Sequence, residues 1–318
     1  MTQRHVPPQS PRFATTPLFA GLPGDVEVSF EFFPPRSEQA EAGLLKALAP
    51  LASLSPAFVS MTYGAGGSTR ERSFAAIEHI MAAHPGLPVA AHLTCVAASR
   101  AETHDVADRL WDMGVRHVVA LRGDAGAPGA PFAPHPQGYT CAAELVAGLK
   151  ARHPFEISVS AYPELHPEAA SAEAEMDYLK RKFDAGADRA ITQFFFCSDT
   201  FFRFRDRAAA AGIAQPIVPG VLPVTNIART VTLAEQCGAQ VPLWLRELFA
   251  GLDGFGQARE LVAATVTAEF CRRLYAEDVR RFHFYTLNRA ELAYATCHLL
   301  GVRGPAIDMG AIAMEQAA

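Results

Sequence analysis

The feature that most constrains this chain is a repeated alternation. Short apolar runs and amphipathic stretches follow one another along almost its whole length. The apolar runs are Val26–Phe33, Ala57–Tyr63, Val89–Cys95, His117–Leu121, Ile157–Tyr162, Ala190–Phe196, Ile217–Val221 and Phe282–Leu287. Rich in β-branched and aromatic residues and bounded by Gly, Pro, Asp or Asn, they read as strands. Their apolar character is nearly continuous, which suits strands covered on both faces. Between them lie Glu38–Ser53, Arg70–Ala83, Ala101–Met113, Ala142–Arg152, Ala172–Ala185, Asp199–Ala211 and Ile227–Cys237, rich in Ala, Leu, Glu and Arg. These read as helices, and several stop at a glycine (Gly114, Gly186, Gly212). Leu245–Phe249 and Gln257–Tyr275 read as further helices inserted before the last strand, and Arg289–Leu300 closes the chain.

Eight strand–helix units in 318 residues predict an α/β chain folded as a single-domain (β/α)8 TIM barrel, with extra helices before the last strand. A doubly wound open sheet fits the same periodicity. The expected boundaries are a flexible N-terminal arm over 1–25, the barrel over 26–302 and a C-terminal tail over 303–318. Half the residues are hydrophobic, enough for a sizeable core. With Lys plus Arg at 28 against Asp plus Glu at 33, the net charge of −5 offers no basic face for nucleic acid. No run of about 18 apolar residues occurs, so no membrane span is expected. The six cysteines are scattered without a C-x-x-C pair or metal-ligand spacing. They read as reduced thiols of a cytoplasmic protein with no bound metal.

In a barrel, functional side chains gather beyond the carboxyl ends of the strands, and polar residues recur there. Glu31 stands between Phe30 and Phe32, Thr62-Tyr63 leads into Gly64-Ala65-Gly66-Gly67, and His92 sits in the third run. The fourth ends in Arg122-Gly123-Asp124, the fifth in Tyr162-Pro163-Glu164 with His166 beyond, the sixth holds Gln193, and the eighth reaches Asn288-Arg289. A carboxylate inside an apolar strand is costly unless paired or protonated, and a carboxyl kept protonated near neutral pH suits general-acid work. Glu31 is therefore the expected acid, with a structural salt bridge at the barrel mouth as the plainer reading. Arg122-Gly123-Asp124 reads either as a turn with a solvated ion pair or as a site for a charged planar ligand. His92 and His166 fit a core or a ligand role, and His283 reads as core. The glycine-rich segment before the second helix is neither G-x-G-x-x-G nor a P-loop, so its promise as an anion site is weak. Lys180-Arg181-Lys182 is a solvated helix face or a phosphate partner, and Phe194-Phe195-Phe196 is core packing.

Several blocks together resemble the bacterial methylenetetrahydrofolate reductase family. They are Val28–Pro35, His92–Cys95, Ala120–Asp124, Ala161–Glu164, His166–Glu168, Lys180–Lys182 with Asp184–Ala187, Ile191–Phe196 and Phe282–Arg289. The resemblance runs in order from about Val26 to Val302. It implies a flavoprotein barrel that reduces 5,10-methylenetetrahydrofolate to 5-methyltetrahydrofolate by a ping-pong reaction through FAD. The reducing substrate would be NADH or NADPH, and the product would serve methionine synthesis. It further implies a homo-oligomer with small-molecule partners only. Position by position, Glu31 resembles the acid that protonates N10 of the folate, and Asp124 the carboxylate touching flavin and pterin. Gln193 resembles the amide that orients folate or nicotinamide, and Arg289 falls on a folate-contacting position. Thr62, Tyr63, Ala65, His92, Arg122, Gly123, Asp124, Ala142, Tyr162, His166, Ala169, Glu175, Arg181 and Lys182 fall where the family holds FAD, which gives the basic cluster a pyrophosphate to meet. Glu175, Tyr178, Cys141, Leu233 and Arg229 depart from the residues usual at their positions. No second, regulatory domain of the eukaryotic kind is present in the sequence, so feedback control by that route is not expected.

Two other classes compete. A barrel glycoside hydrolase would pair Glu31 with Asp124 or Glu164 and has no use for Arg122-Gly123-Asp124 or the basic cluster. A catalytically inactive folate- or flavin-binding barrel would keep ligand affinity and lose nothing on removal of the Glu31 carboxyl.

Overall fold

The computed structural model describes residues 22–63, 69–124 and 132–304. The first half runs β1 (Glu27–Phe32), α1 (Glu38–Ala52), β2 (Phe58–Met61), α2 (Arg70–Ala83), β3 (Val89–Thr94), α3 (Arg100–Asp112), β4 (His117–Leu121) and α4 (Ala142–Arg152). It continues through β5 (Glu156–Ala161), α5 (Ala172–Asp184), β6 (Arg189–Thr192), α6 (Ser198–Ala210), β7 (Ile217–Val218) and β8 (Gly220–Val221). Three helices then intervene, α7 (Ile227–Cys237), α8 (Leu243–Phe249) and α9 (Gly256–Ala276), before β9 (Arg281–Tyr285) and α10 (Glu291–Leu299). Local chemistry starts several helices where the sequence places them. Ser37 and Ser171 cap α1 and α5 with their side chains, and Ser99 with Glu102 forms a capping box on α3.

All strand pairs are parallel, and their order is β7-β6-β5-β4-β3-β2-β1-β9-β8. The two ends of that order, β7 and β8, are one stretch of chain separated by Pro219, so the sheet closes on itself as a barrel rather than lying open. The seventh run, expected as a single strand over Ile217–Val221, is divided because proline has no N–H to contribute to a ladder. Val218 pairs with Ile191 on one side, and Gly220 pairs with His283 on the other. The Pro219 carbonyl accepts from the His283 amide at 3.0 Å.

Alternation along β1 separates two environments. Val28, Phe30 and Phe32 are buried in the layer between strands and helices, in one cluster with Leu44, Leu48 and Ala293. Ser29 and Glu31 take the other face and enter the lumen. There Glu31 meets His92, two strands away. The lumen is unusual for such a barrel, where stacked aliphatic layers are the rule. Phe58 lies 4.2 Å from His117 and 5.8 Å from His283, ring centre to ring centre. His117 Nε2 and Ser158 Oγ are hydrogen-bonded at 2.7 Å. A separate cluster of Phe194, Leu222, Val224, Ala234, Leu245 and Phe249 seats α7 and α8 beside the mouth.

Part of the stretch expected as an arm is packed. Leu22 rests on the outer core, and Asp25 accepts the Tyr275 hydroxyl at 2.8 Å. Among the described residues no helix is long and apolar enough to cross a membrane.

Candidate active site

A cavity of about 700 Å³ opens at the carboxyl ends of the strands, where a barrel places its chemistry. Glu31, with 12% of its side chain exposed, reaches into it from β1. Its backbone is fixed by Thr286, whose hydroxyl donates to the Glu31 carbonyl at 2.6 Å. Phe30 and Phe32 face away into the outer core, so the apolar surroundings suggested by the sequence are not what the carboxyl meets. Two imidazoles stand there instead. His92 Nε2 is 3.4 Å and His283 Nε2 is 3.7 Å from Glu31 Oε2. Neither nitrogen has a hydrogen-bond partner, and the same holds for the buried hydroxyls of Ser60 and Thr94. Burial pulls His92 below the ordinary imidazole range, against the opposing pull of Glu31, so its ring is neutral near pH 7.

The end of β4 contributes the second group. Gly123 adopts a φ of +85°, and a Cβ there would lie 2.5 Å from Val96 Cγ1. Only glycine fits this turn, which brings Asp124 to the cavity. Arg122 pairs with Glu168 at 2.6 Å and lies over the Phe132 ring at 4.6 Å, so the turn is neither free nor fully solvated.

The wall from β5 and α5 is aromatic and cationic. Tyr162 packs edge-on against His166 at 4.6 Å, and burial raises its phenol well above the usual value. His166 Nδ1 accepts from the Glu168 amide at 3.0 Å. Lys182 is 2% exposed, donates to the Ser160 carbonyl at 2.9 Å, and sits 4.4 Å from the centre of the Tyr178 ring. Burial pulls its ammonium down to about 8, with Glu175 opposing. The basic cluster therefore splits. Lys182 and Arg181 line the cavity, whereas Lys180 turns to the surface and pairs with Asp184 at 3.4 Å.

Of the other positions singled out from the sequence, Thr62, Tyr63, Ala142, Ala169, Glu175 and Gln193 also line this one cavity. Gln193 Oε1 accepts from the Phe194 amide at 3.0 Å. Ala65 and the rest of Gly64–Ser68 lie outside the described residues. Arg289 is not on the lining and is paired with Glu260 of α9 at 2.9 Å. Glu164 is off the lining too, accepting the Gln240 amide at 2.8 Å, which removes one of the two alternative carboxylate pairs open to a glycoside hydrolase. The structure adds Phe33, Leu222 and Tyr285 to the lining. Tyr285 was findable, since it stands two positions beyond His283 on one strand and so shares its face.

Comparisons with known proteins identify the family. The family model for methylenetetrahydrofolate reductase matches residues 20–301. The 5,10-methylenetetrahydrofolate reductase of Salmonella typhimurium is 47% identical over 292 residues, covering 92% of this chain and 96% of that protein. The enzyme of the same name from Escherichia coli is 47% identical over 294 residues, with 92% and 97% covered. A Zea mays protein named methylenetetrahydrofolate reductase (NADH) 1 is 31% identical over 90% of this chain and half of its own length. A solved structure of an uncharacterized Clostridium thermocellum protein, described as binding two copies of 5-methyl-5,6,7,8-tetrahydrofolic acid, has a TM-score of 0.58 at 12% identity. It covers 87% of this chain and 94% of that one, a likeness of fold alone. The match along nearly the whole barrel makes this chain a member of the methylenetetrahydrofolate reductase family.

Proposed function

We propose that the cavity reduces 5,10-methylenetetrahydrofolate to 5-methyltetrahydrofolate in a ping-pong reaction, with FAD bound along the α5 wall and a nicotinamide as the reducing substrate. The donor set fits that cofactor. Arg181 and Lys182 supply cations for a pyrophosphate on one wall, and Thr94 has a buried hydroxyl without a partner. Thr62, Tyr63, His92, Gly123, Ala142, Tyr162, His166, Ala169 and Glu175 line the same space. FAD, when bound, supplies the redox step between the two substrates, which take turns in one site.

The protein's own part is placement and a proton. Glu31 Oε2 holds the proton that N10 of the folate takes as the five-membered ring opens. Burial keeps the His92 ring beside it neutral and so a poor competitor for a proton. Asp124 and Gln193 orient the pterin from two strand ends, the arrangement that makes the attack geometry intramolecular. Tyr285 and Leu222 line the same cavity. NADH is the favoured donor, by likeness to the plant protein's printed name.

The observation that carries this reading is the carboxyl of Glu31 on the cavity floor, facing two imidazoles and sharing one space with Lys182 and Arg181. The test is an absorbance experiment on the purified protein. Flavin absorbance should bleach with anaerobic NADH and return on adding methylenetetrahydrofolate. A protein that neither carries nor takes up FAD would refute it. The homo-oligomer and the cytoplasmic location implied by the family belong to the same proposal, and light scattering and cell fractionation test them.

A further inference from the structure

Among the described residues, seven large hydrophobic side chains are exposed, and five of them fall between Leu243 and Leu261. Leu243, Trp244 and Leu248 belong to α8, Phe255 precedes α9, and Leu261 lies near its start. Each is between 44% and 72% exposed. α8 is apolar on two faces. Leu245 and Phe249, four apart, bury into the cluster beside the mouth, while the other three turn outward. A surface helix needs one apolar stripe, and a helix that is apolar all round is a covered one. On the order of 600 Å² of apolar surface is open along this stretch, the top of the range for the largest patch on a monomer. A standard interface takes about 800 Å² from each partner, a little over half of it apolar. This stretch alone supplies that share.

We propose that α8 and the start of α9 form the face by which two copies of this chain join about a two-fold axis. The charges on the stretch point to a second copy as the occupant. Arg246, Glu247 and Asp253 are exposed there, and none has an ion-pair partner among the described residues. Arg246 Nε donates only to the Val241 carbonyl, at 3.2 Å. Glu260, by contrast, is taken by Arg289 at 2.9 Å. A two-fold interface repeats each contact, residue i to j and j to i. A cation and an anion side by side on one helix therefore meet their opposites when α8 crosses its copy antiparallel. The apolar area supplies affinity, and the charges fix the orientation. A lipid surface selects a cationic polar face, whereas here one arginine stands against two acids. Behind the face, the cluster that seats α8 includes Phe194 and Leu222 of the cavity lining, so the join backs one wall of the site.

The inference rests on the homo-oligomer proposed above and on none of the redox chemistry. The full-length holoenzyme is followed by sedimentation velocity across a micromolar range, with circular dichroism as the check on folding. Leu248→Glu and Leu261→Glu should each halve the particle mass and leave the circular dichroism unchanged. Charge swaps test the same face without touching its apolar contacts. Arg246→Glu and Glu247→Arg should each raise the dissociation constant about tenfold, since each sets like charges opposite one another twice. The double swap should bring it back to within about threefold of the wild type. A monomeric wild type overturns the homo-oligomer and this face with it. An oligomer that keeps its mass in both glutamate variants, or a double swap no tighter than the single ones, overturns this two-fold face alone. Binding to phosphatidylglycerol vesicles that Leu248→Glu abolishes would assign the stretch to a membrane and overturn it too.

Discussion

Tyr285 donates its phenolic hydrogen to the Thr192 carbonyl across 2.8 Å, tying the last strand of the barrel to the sixth over the top of Gly220. The bond exists because Gly220 has no side chain. A Cβ there would lie 2.1 Å from the Thr192 oxygen and 2.6 Å from Tyr285 Cε2. Gly220→Ala must therefore push apart the strands that close the ring. We expect a loss of about 1–3 kcal/mol, in the range of overpacked cores, read as a lowered denaturant midpoint. Unchanged stability would mean that the seam has slack the geometry does not show.

Removing the Glu31 carboxyl should separate the two halves of the reaction. In Glu31→Gln the side chain keeps its size and loses its proton, so folate reduction should fall by about 10²–10⁴-fold, the usual worth of a positioned acid. Flavin bleaching by NADH needs no such proton and should persist. Stopped-flow absorbance on each half-reaction decides it, and equal loss of both would remove Glu31 from the role of acid.

Lys182 gives the site a pH dependence of known sign. Burial holds its ammonium at about 8, so below that pH it presents a cation to an anionic cofactor and above it does not. Affinity for FAD should weaken as pH rises through about 8, as measured by flavin fluorescence titration. Lys182→Met should bind about tenfold more weakly, or about 1.4 kcal/mol, with a flatter profile over the same interval. A wild-type profile that stays level would place the pyrophosphate elsewhere.

Stability should reside mainly outside the lumen. Leu48 is fully buried on α1 within the layer that holds Phe30 and Phe32. Leu48→Ala is expected to cost about 2–5 kcal/mol, seen in chemical denaturation. Cofactor titration of the folded fraction should be unaltered.

Much of this molecule is legible in its sequence, and the failures have physical causes. Continuous apolar runs mark parallel strands because both faces are covered, and helix caps such as Ser99 with Glu102 mark their own starts. The break at Pro219 is hidden because Ile217, Val218 and Val221 all have strand character. Glu31 is conspicuous as a carboxyl among aromatics, yet its true neighbours come from β3 and β9, which no local window connects. His283 reads as core because Phe282 and Phe284 flank it. It is indeed buried, but on the lumen side. Arg289 shows the reverse case, since its partner Glu260 belongs to the inserted helix α9, whose placement the periodicity does not give.

The alternation on β1 has a practical reach. Side chains of one parity, Val28, Phe30 and Phe32, hold the outer core, while those of the other, Ser29 and Glu31, face the lumen, where both stand beside His283. Mutational tolerance should therefore follow parity rather than position along the strand. A library confined to Ser29 and Glu31 would vary the lumen of β1 while leaving Val28, Phe30 and Phe32 in place.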